Sequence, residues 1–218
     1  MNRGIALTPG DRFTEIFCGL IMVLAVTLVA GRDVALAGDG VHALLRAAVG
    51  GNVAWGIIDG VVYLINRRFE RARQIRLVAA VRAASDEASM REALRDTFDH
   101  ALVASMTAAE AAQLFATLHV VAGRLEVREH AHFTKHDLVG AVGCGLLCIG
   151  SALPALVPFL LFERPVVALR VSNAVLLASL FVLGVMWAKD LGAGRVKTGL
   201  TLLLVGATMV AVAVAFGG

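Results

Sequence analysis

Residues 52–67 read N-V-A-W-G-I-I-D-G-V-V-Y-L-I-N-R, an apolar run with one carboxylate, Asp59, near its middle and Arg67 at its end. At 100° per residue, Asn52, Asp59, Tyr63 and Asn66 fall in one narrow stripe of a helix. Ile57, Ile58, Val61 and Leu64 occupy the rest of its surface. A carboxylate at bilayer depth is costly, so it faces other helices, finds a partner there and marks an ion or proton path. Carboxylate and amide oxygens suit hard or borderline divalent cations, and a desolvated Asp equally carries a proton. The competing reading is structural: Asp59 pairs with Arg170, in a later apolar run, and only locks the bundle.

The chain around this run has the composition of a membrane protein. Of 218 residues, 58% are hydrophobic and 17% charged, and the mean hydropathy is +0.78. A hydrocarbon core about 30 Å thick needs roughly 20 apolar residues per helix. Stretches with at most one charge occur at 13–31, 47–66, 138–162, 165–188 and 198–218. The expected fold is therefore all-α, a polytopic membrane protein with five transmembrane helices. The first span is expected to remain in the chain: Arg12 precedes it and no convincing small-residue cleavage site ends it.

Arg67, Arg68, Arg71, Arg73 and Arg76 crowd the end of the second span. Arg3 and Arg12 precede the first, and Lys189, Arg195 and Lys197 lie between the fourth and fifth. Alternation of the spans puts all these clusters on one side, which predicts a cytoplasmic N-terminus and an outside C-terminus. An integral protein of a bacterial cell membrane is the expectation. Arginines set against a span serve the lipid surface, so no nucleic-acid partner is expected.

The polar stretch between the second and third spans divides the chain into 1–66 (spans one and two), 67–135 (a small cytosolic helical insert) and 136–218 (spans three to five). Residues 68–84 continue helically from the second span. Ser85 offers a cap for a helix to about 105, and Thr107 with Glu110 makes a capping box for a helix to about Val121, near Gly123. The segment 32–46, with Arg32, Asp33, Asp39 and Arg46, reads as an outside turn and a short interfacial helix.

Other residues carry weaker signals. Glu15 lies one turn inside the first span, where it either lines an entrance or complements the helix N-terminus. Met22, two turns on, is a packing residue or a soft ligand. In E-V-R-E-H-A-H-F-T-K-H-D, 126–137, a helix would put Glu129, His132 and His136 on one face and Glu126 with His130 on another. Glu-x-x-His is a spacing by which helices present metal ligands. Solvated interfacial histidines, with Thr134 capping the third span, are the alternative. Cys18, Cys144 and Cys148 sit in apolar runs and read as small buried hydrophobes. Cys144 and Cys148 share a helix face, but with no nearby His or carboxylate in sequence they make a weak metal site. Pro154 and Pro158 should kink the third span. Gly140, Gly143, Gly145, Gly150, Gly199 and Gly206 suggest close helix packing or a dimer seam. No phosphate-binding loop, nucleophile elbow or Cys-x-x-Cys pair is present, so enzymatic and nucleotide-driven functions have no support.

Several stretches resemble one family, the vacuolar iron transporter and related iron and manganese transporters. T-E-I-F-C-G-L at 14–20 is similar to its first-span opening, and A-W-G-I-I-D-G-V-V-Y at 54–63 to its small-Met-x-x-Gly-Glu-Tyr segment. S-A-L-P-A-L-V-P-F-L-L-F at 151–162, R-V-S-N-A-V-L-L-A at 170–178 and K-T-G-L-T-L-L-L-V-G at 197–206 resemble its last three spans. By that match Glu15 takes the place of the first-span carboxylate and Asp59 that of the Glu in Gly-Glu-Tyr. The family's first-span Asp-Gly-Leu is here Met22-Val23-Leu24, its second-span Met is Trp55, and its glutamate-rich insert is replaced by one rich in Arg and Ala. The resemblance implies a homodimer that exports Fe2+ or Mn2+ from the cytosol by proton antiport. No fixed cofactor is expected; Fe2+ or Mn2+ is the transported ion, and the His cluster is a candidate place for it to bind at the insert as well. A transport-inactive scaffold or sensor of the same fold is the alternative.

Overall fold

Helices form where the apolar runs lie, and among the described residues there is no strand. The structure, a computed structural model, describes residues 7–29, 40–94, 106–125 and 133–216. Its helices are α1 (Pro9–Val29), α2 (Gly40–Ala83), α3 (Glu87–Leu94), α4 (Ala108–Arg124), α5 (Lys135–Gly150), α6 (Leu153–Leu161), α7 (Pro165–Trp187) and α8 (Arg195–Ala215). The chain divides into two units, Met1–Leu64 with Lys135–Gly218, and Ile65–Thr134.

In the first unit, four stretches are long and apolar enough to cross a membrane: Gly40–Ala83 (α2, which runs on into the second unit), Lys135–Leu161, Pro165–Trp187 and Arg195–Val212. Their outward positions are apolar, with Leu146 63% exposed, Leu160 82% and Leu204 65%. Apolar surface on this scale suits lipid rather than water. The expected first span forms α1, which is not among those four. Its first turns carry Asp11, Arg12 and Glu15, and the helix packs against α5, α7 and α8. Leu20, Val23 and Leu24 of α1 are buried with Leu176 and Leu180 of α7, and Phe13 stacks on Trp187 with ring centroids 3.7 Å apart. Thr27 donates to Asn173 Oδ1 at 2.7 Å, a side-chain bond that fastens α1 to α7.

The expected third span is two helices. Proline has no N–H, and its ring clashes with the carbonyl four residues back. For Pro154 that residue is Gly150, where α5 ends; Ser151 and Ala152 form the turn, and α6 restarts with Pro154 in its first turn. Ser172 of α7 then donates to the Ala155 carbonyl at 2.8 Å.

Small residues set the helix crossings. A Cβ on Gly56 would lie 2.9 Å from the Gly145 carbonyl oxygen, and one on Gly60 3.0 Å from that of Ala141. Gly140 lies under the Tyr63 ring, and Gly184 against Thr198 and Gly199. The expected use of Gly140, Gly145 and Gly199 in close packing is thus within this chain, whereas Gly150 meets nothing within 4 Å. Descending α2 through Asn52, Gly56, Gly60 and Tyr63 means ascending α5 through Cys148, Gly145, Ala141 and Gly140, so the two helices run antiparallel.

In the second unit, Val81 of α2, Met90 and Leu94 of α3, and Ala111, Phe115 and Ala122 of α4 form a small core. The Thr107–Glu110 capping box is present: Glu110 N donates to Thr107 Oγ1 at 3.3 Å, and Thr107 N donates to Glu110 Oε2 at 2.8 Å. The cap of α3 is Asp86 rather than the expected Ser85, because its carboxylate accepts from Ser89 N at 2.7 Å. These backbone N–H groups hold both carboxyls, Asp86 and Glu110, below the usual carboxylate range. Gly123 does not stop α4, which runs to Arg124; Arg82 donates to the carbonyls of Ala122 and Leu125 and supplies the C-terminal cap.

Candidate functional site

The polar stripe of residues 52–66 turns inward over most of its length. Asn52 is fully buried, Tyr63 nearly so and Asp59 half-buried, whereas Ile57, Ile58, Val61 and Val62 are exposed. Asn66 departs from this: it is exposed and belongs to the second unit. Trp55, at the position where the family resemblance expects a ligand, is 38% exposed on the outward face.

The side chains of Glu15 on α1 and Asp59 on α2 approach each other at this crossing. The same cluster includes the thiols of α5. Cys144 lies near Glu15 and Cys148 near Asp59; Cys148 Sγ donates to the Asn52 carbonyl at 3.7 Å, and both cysteines are fully buried. Cys18 of α1 is half-buried and lies within the field of both carboxylates. Sequence separation hid this grouping, because the thiols acquire their carboxylate neighbours only when α1 and α2 pack on α5.

Asn52 ties three chain segments together. Its Nδ2 donates to the Cys148 carbonyl at 2.9 Å, the Gly19 carbonyl at 3.3 Å and Ser151 Oγ at 3.5 Å. Ser151 Oγ in turn donates to the Cys148 carbonyl at 2.6 Å. Those acceptors fix the orientation of the Asn52 amide, which leaves its Oδ1 turned away from them. Oδ1 of Asn52, Oε2 of Glu15 and Oδ2 of Asp59 are buried and have no hydrogen-bond partner. A buried polar atom without a partner costs about 1–3 kcal/mol, so three acceptor oxygens here call for a donor or a cation. Gly19, against Ser151 and the Cys148 carbonyl, admits no larger residue at this crossing.

The remaining predicted residues are placed as follows. No ion pair joins Asp59 to Arg170, whose side chain is exposed on α7; the helix turns it outward. Met22 is half-buried on α1, two turns beyond Glu15. His136 is exposed in the first turn of α5, and Glu126, Glu129, His130 and His132 lie outside the described residues, as do 30–39 of the expected outside loop. Asp137, beside His136, is 2% exposed, a buried carboxylate that sequence reasoning passed over because it abuts a run of charges. Among the described residues no three His, Cys, Asp or Glu side chains are grouped so as to hold a metal ion.

No protein-family model matches this chain, and no curated protein matches it.

Proposed function

We propose that this chain is a membrane transporter that exports a divalent metal ion, Fe2+ or Mn2+, from the cytosol in exchange for protons. The observation that carries the reading is the buried contact between Glu15 and Asp59. Two carboxyls in contact hold one proton between them, and a divalent cation offers the same oxygens a stronger partner. Proton and metal then compete for one site, which is the elementary requirement of antiport. In this reading the arrangement is the proton-loaded state, and a cation draws in Glu15 Oε2, Asp59 Oδ2 and Asn52 Oδ1, the three oxygens left without partners. Asn52 holds α1 and α5 against α2, and Tyr63 lies on the same inward face. Met22 continues the path along α1.

The sequence resemblance to iron and manganese transporters supports the choice of ion. It adds the homodimer, the cytoplasmic N-terminus and the outside C-terminus as parts of the proposal. Here α1 is the fifth span, enclosed by the others; its charged first turns lie at the membrane surface. The insert is cytosolic, and Glu126, Glu129, His130, His132 and His136 gather metal beside it. The test is uptake of Fe2+ or Mn2+ into proteoliposomes with a pH gradient imposed. Flux that depends on the gradient supports the reading, and its absence for both ions removes it.

One observation favours a second reading, a transport-inactive scaffold or sensor: the described residues offer no grouped set of three His, Cys, Asp or Glu ligands. That reading expects no flux and an unchanged metal sensitivity of cells producing the protein.

A further inference from the structure

The arginines that follow the apolar part of α2 are not spread evenly around the helix. At 100° per residue, Ile65, Phe69, Arg73 and Arg76 fall within about a quarter of its circumference, and Arg67 and Arg71 fall on the opposite side. The first face is open: Ile65 is 45% exposed, Phe69 66%, and both arginines are exposed. On the other face Arg67 and Arg71 are half-buried, and Arg67 pairs with Glu70 at 3.5 Å.

The open face borders a groove of about 690 Å³ between α2 and α3, where Ala80 and Ala83 of α2 and Ala93 of α3 leave the space between the helices unfilled. The charged residues lining it are Arg73, Arg76 and Glu92, so the lining has a single net positive charge. A guanidinium has five N–H donors in a planar fork, and a protein acceptor on one edge leaves the other edge for a phosphate.

Position along the helix adds an apolar requirement. Phe69 stands one turn before Arg73, and Ile65 stands one turn nearer still to the apolar run. Side chains on a helix lean over the turn that precedes their own Cα, so both arginines reach back toward Phe69 and the spanning part of α2. A free phosphate would use the guanidinium groups and leave the ring and the isoleucine uncovered. A phospholipid satisfies both ends, its phosphate on the arginines and its upper acyl chain over Phe69 and Ile65. One net positive charge in the lining is complemented by a headgroup of net charge −1, and a zwitterionic headgroup leaves it unmatched.

We infer that the groove between α2 and α3 holds the headgroup of one anionic phospholipid, with Arg73 and Arg76 on its phosphate and Phe69 against its acyl end. Such a site goes beyond the transport reading and stands whether or not the chain moves a metal.

In the experiment the full chain, in an uncharged detergent, is offered phosphatidylglycerol and phosphatidylcholine in equal amounts, and retained lipid is read by native mass spectrometry. Wild-type protein should keep one phosphatidylglycerol in preference to phosphatidylcholine by at least about tenfold. Arg73→Gln/Arg76→Gln should lose at least about tenfold in that affinity, whereas Arg67→Gln/Arg71→Gln, which removes the same charge from the opposite face, should change it less than about threefold. Should the first variant fail to fold, a phosphatidylglycerol with a photoreactive headgroup should still crosslink to wild-type protein within residues 73–93. Equal losses from the two arginine pairs, no preference in wild-type protein, or crosslinks confined to other segments overturns the site. Displacement of the lipid by inorganic phosphate, or an unchanged affinity in Phe69→Ala, assigns the groove to a free anion and overturns the lipid.

Discussion

The carboxyl of Glu15 on α1 approaches that of Asp59 on α2, and Glu15 Oε2 and Asp59 Oδ2 are buried without a hydrogen-bond partner. Two acids face one helix crossing, and both are candidates for the same cation or proton.

Asp59→Asn and Glu15→Gln are each expected to lower pH-driven metal flux in proteoliposomes by at least about tenfold, equivalent to about 1.4 kcal/mol in the barrier. Both variants should remain folded, since an amide can donate to the carboxyl it faces. Full flux from Asp59→Asn would detach that residue from transport.

Packing gives a sharper contrast. Gly56→Ala puts a methyl 2.9 Å from the backbone oxygen of Gly145, which cannot move alone. A loss of about 1–3 kcal/mol is expected, read as a lower Tm in nanodiscs. Gly51 lies one turn away on the same helix with nothing within 4 Å. Gly51→Ala should instead raise stability by about 0.5–1 kcal/mol, because alanine loses less entropy than glycine on entering a helix. Equal effects from the two substitutions would contradict the crossing.

Asn52→Ala removes the donor that Gly19 O and Cys148 O share. Ser151 Oγ still donates to the Cys148 carbonyl, so the loss is that of the Asn52 bonds alone, about 0.5–1.5 kcal/mol each. Hydrogen exchange should quicken in α1 and α5 around these residues, and an unchanged exchange pattern would show that Asn52 does not tie them.

Asp86 and Glu110 cap α3 and α4, with folded-state values held below the ordinary 3.8 and 4.5 by backbone N–H groups. A depressed carboxyl contributes stability that is fully present above its ordinary value and is lost as pH falls through the lowered one. Protection of the α3 and α4 amides against hydrogen exchange should thus fall as the pH is lowered below about 4. Asp86→Asn should flatten the response of α3, and Glu110→Gln that of α4. Retention of the full wild-type acid response in α3 of Asp86→Asn would exclude the cap as its source.

Membrane character and helical class were legible in the residues themselves, because both follow from composition and from period along one chain. The Thr107–Glu110 capping box was legible for the same reason: it spans three residues and needs no distant partner. The inward turn of Asn52, Asp59 and Tyr63 was legible because a helix fixes the azimuth of each position on it. Asp86 replaced Ser85 as the cap of α3, a one-residue choice that depends on which side chain reaches Ser89 N. Pro154 was expected to kink the third span, and the span does break just before it, where α5 ends at Gly150 and α6 begins at Leu153.

What the sequence by itself determined, then, is every feature that repeats or closes within a few residues: the apolar helices, their polar stripe, and the local caps. Only the tertiary structure decided which side chains meet. Arg170 and Asp59 both lie in apolar runs, yet the azimuth of α7 leaves the arginine exposed and no pair forms. Glu15, Asp59, Cys144 and Cys148 come from three separated segments, and glycines bring them together. Gly19, Gly56 and Gly60 lack the side chains that would hold the backbones apart. Helix period assigns each residue to a face but carries no information on which face lies opposite, and that choice brought together two carboxylates and two thiols that read separately in the chain.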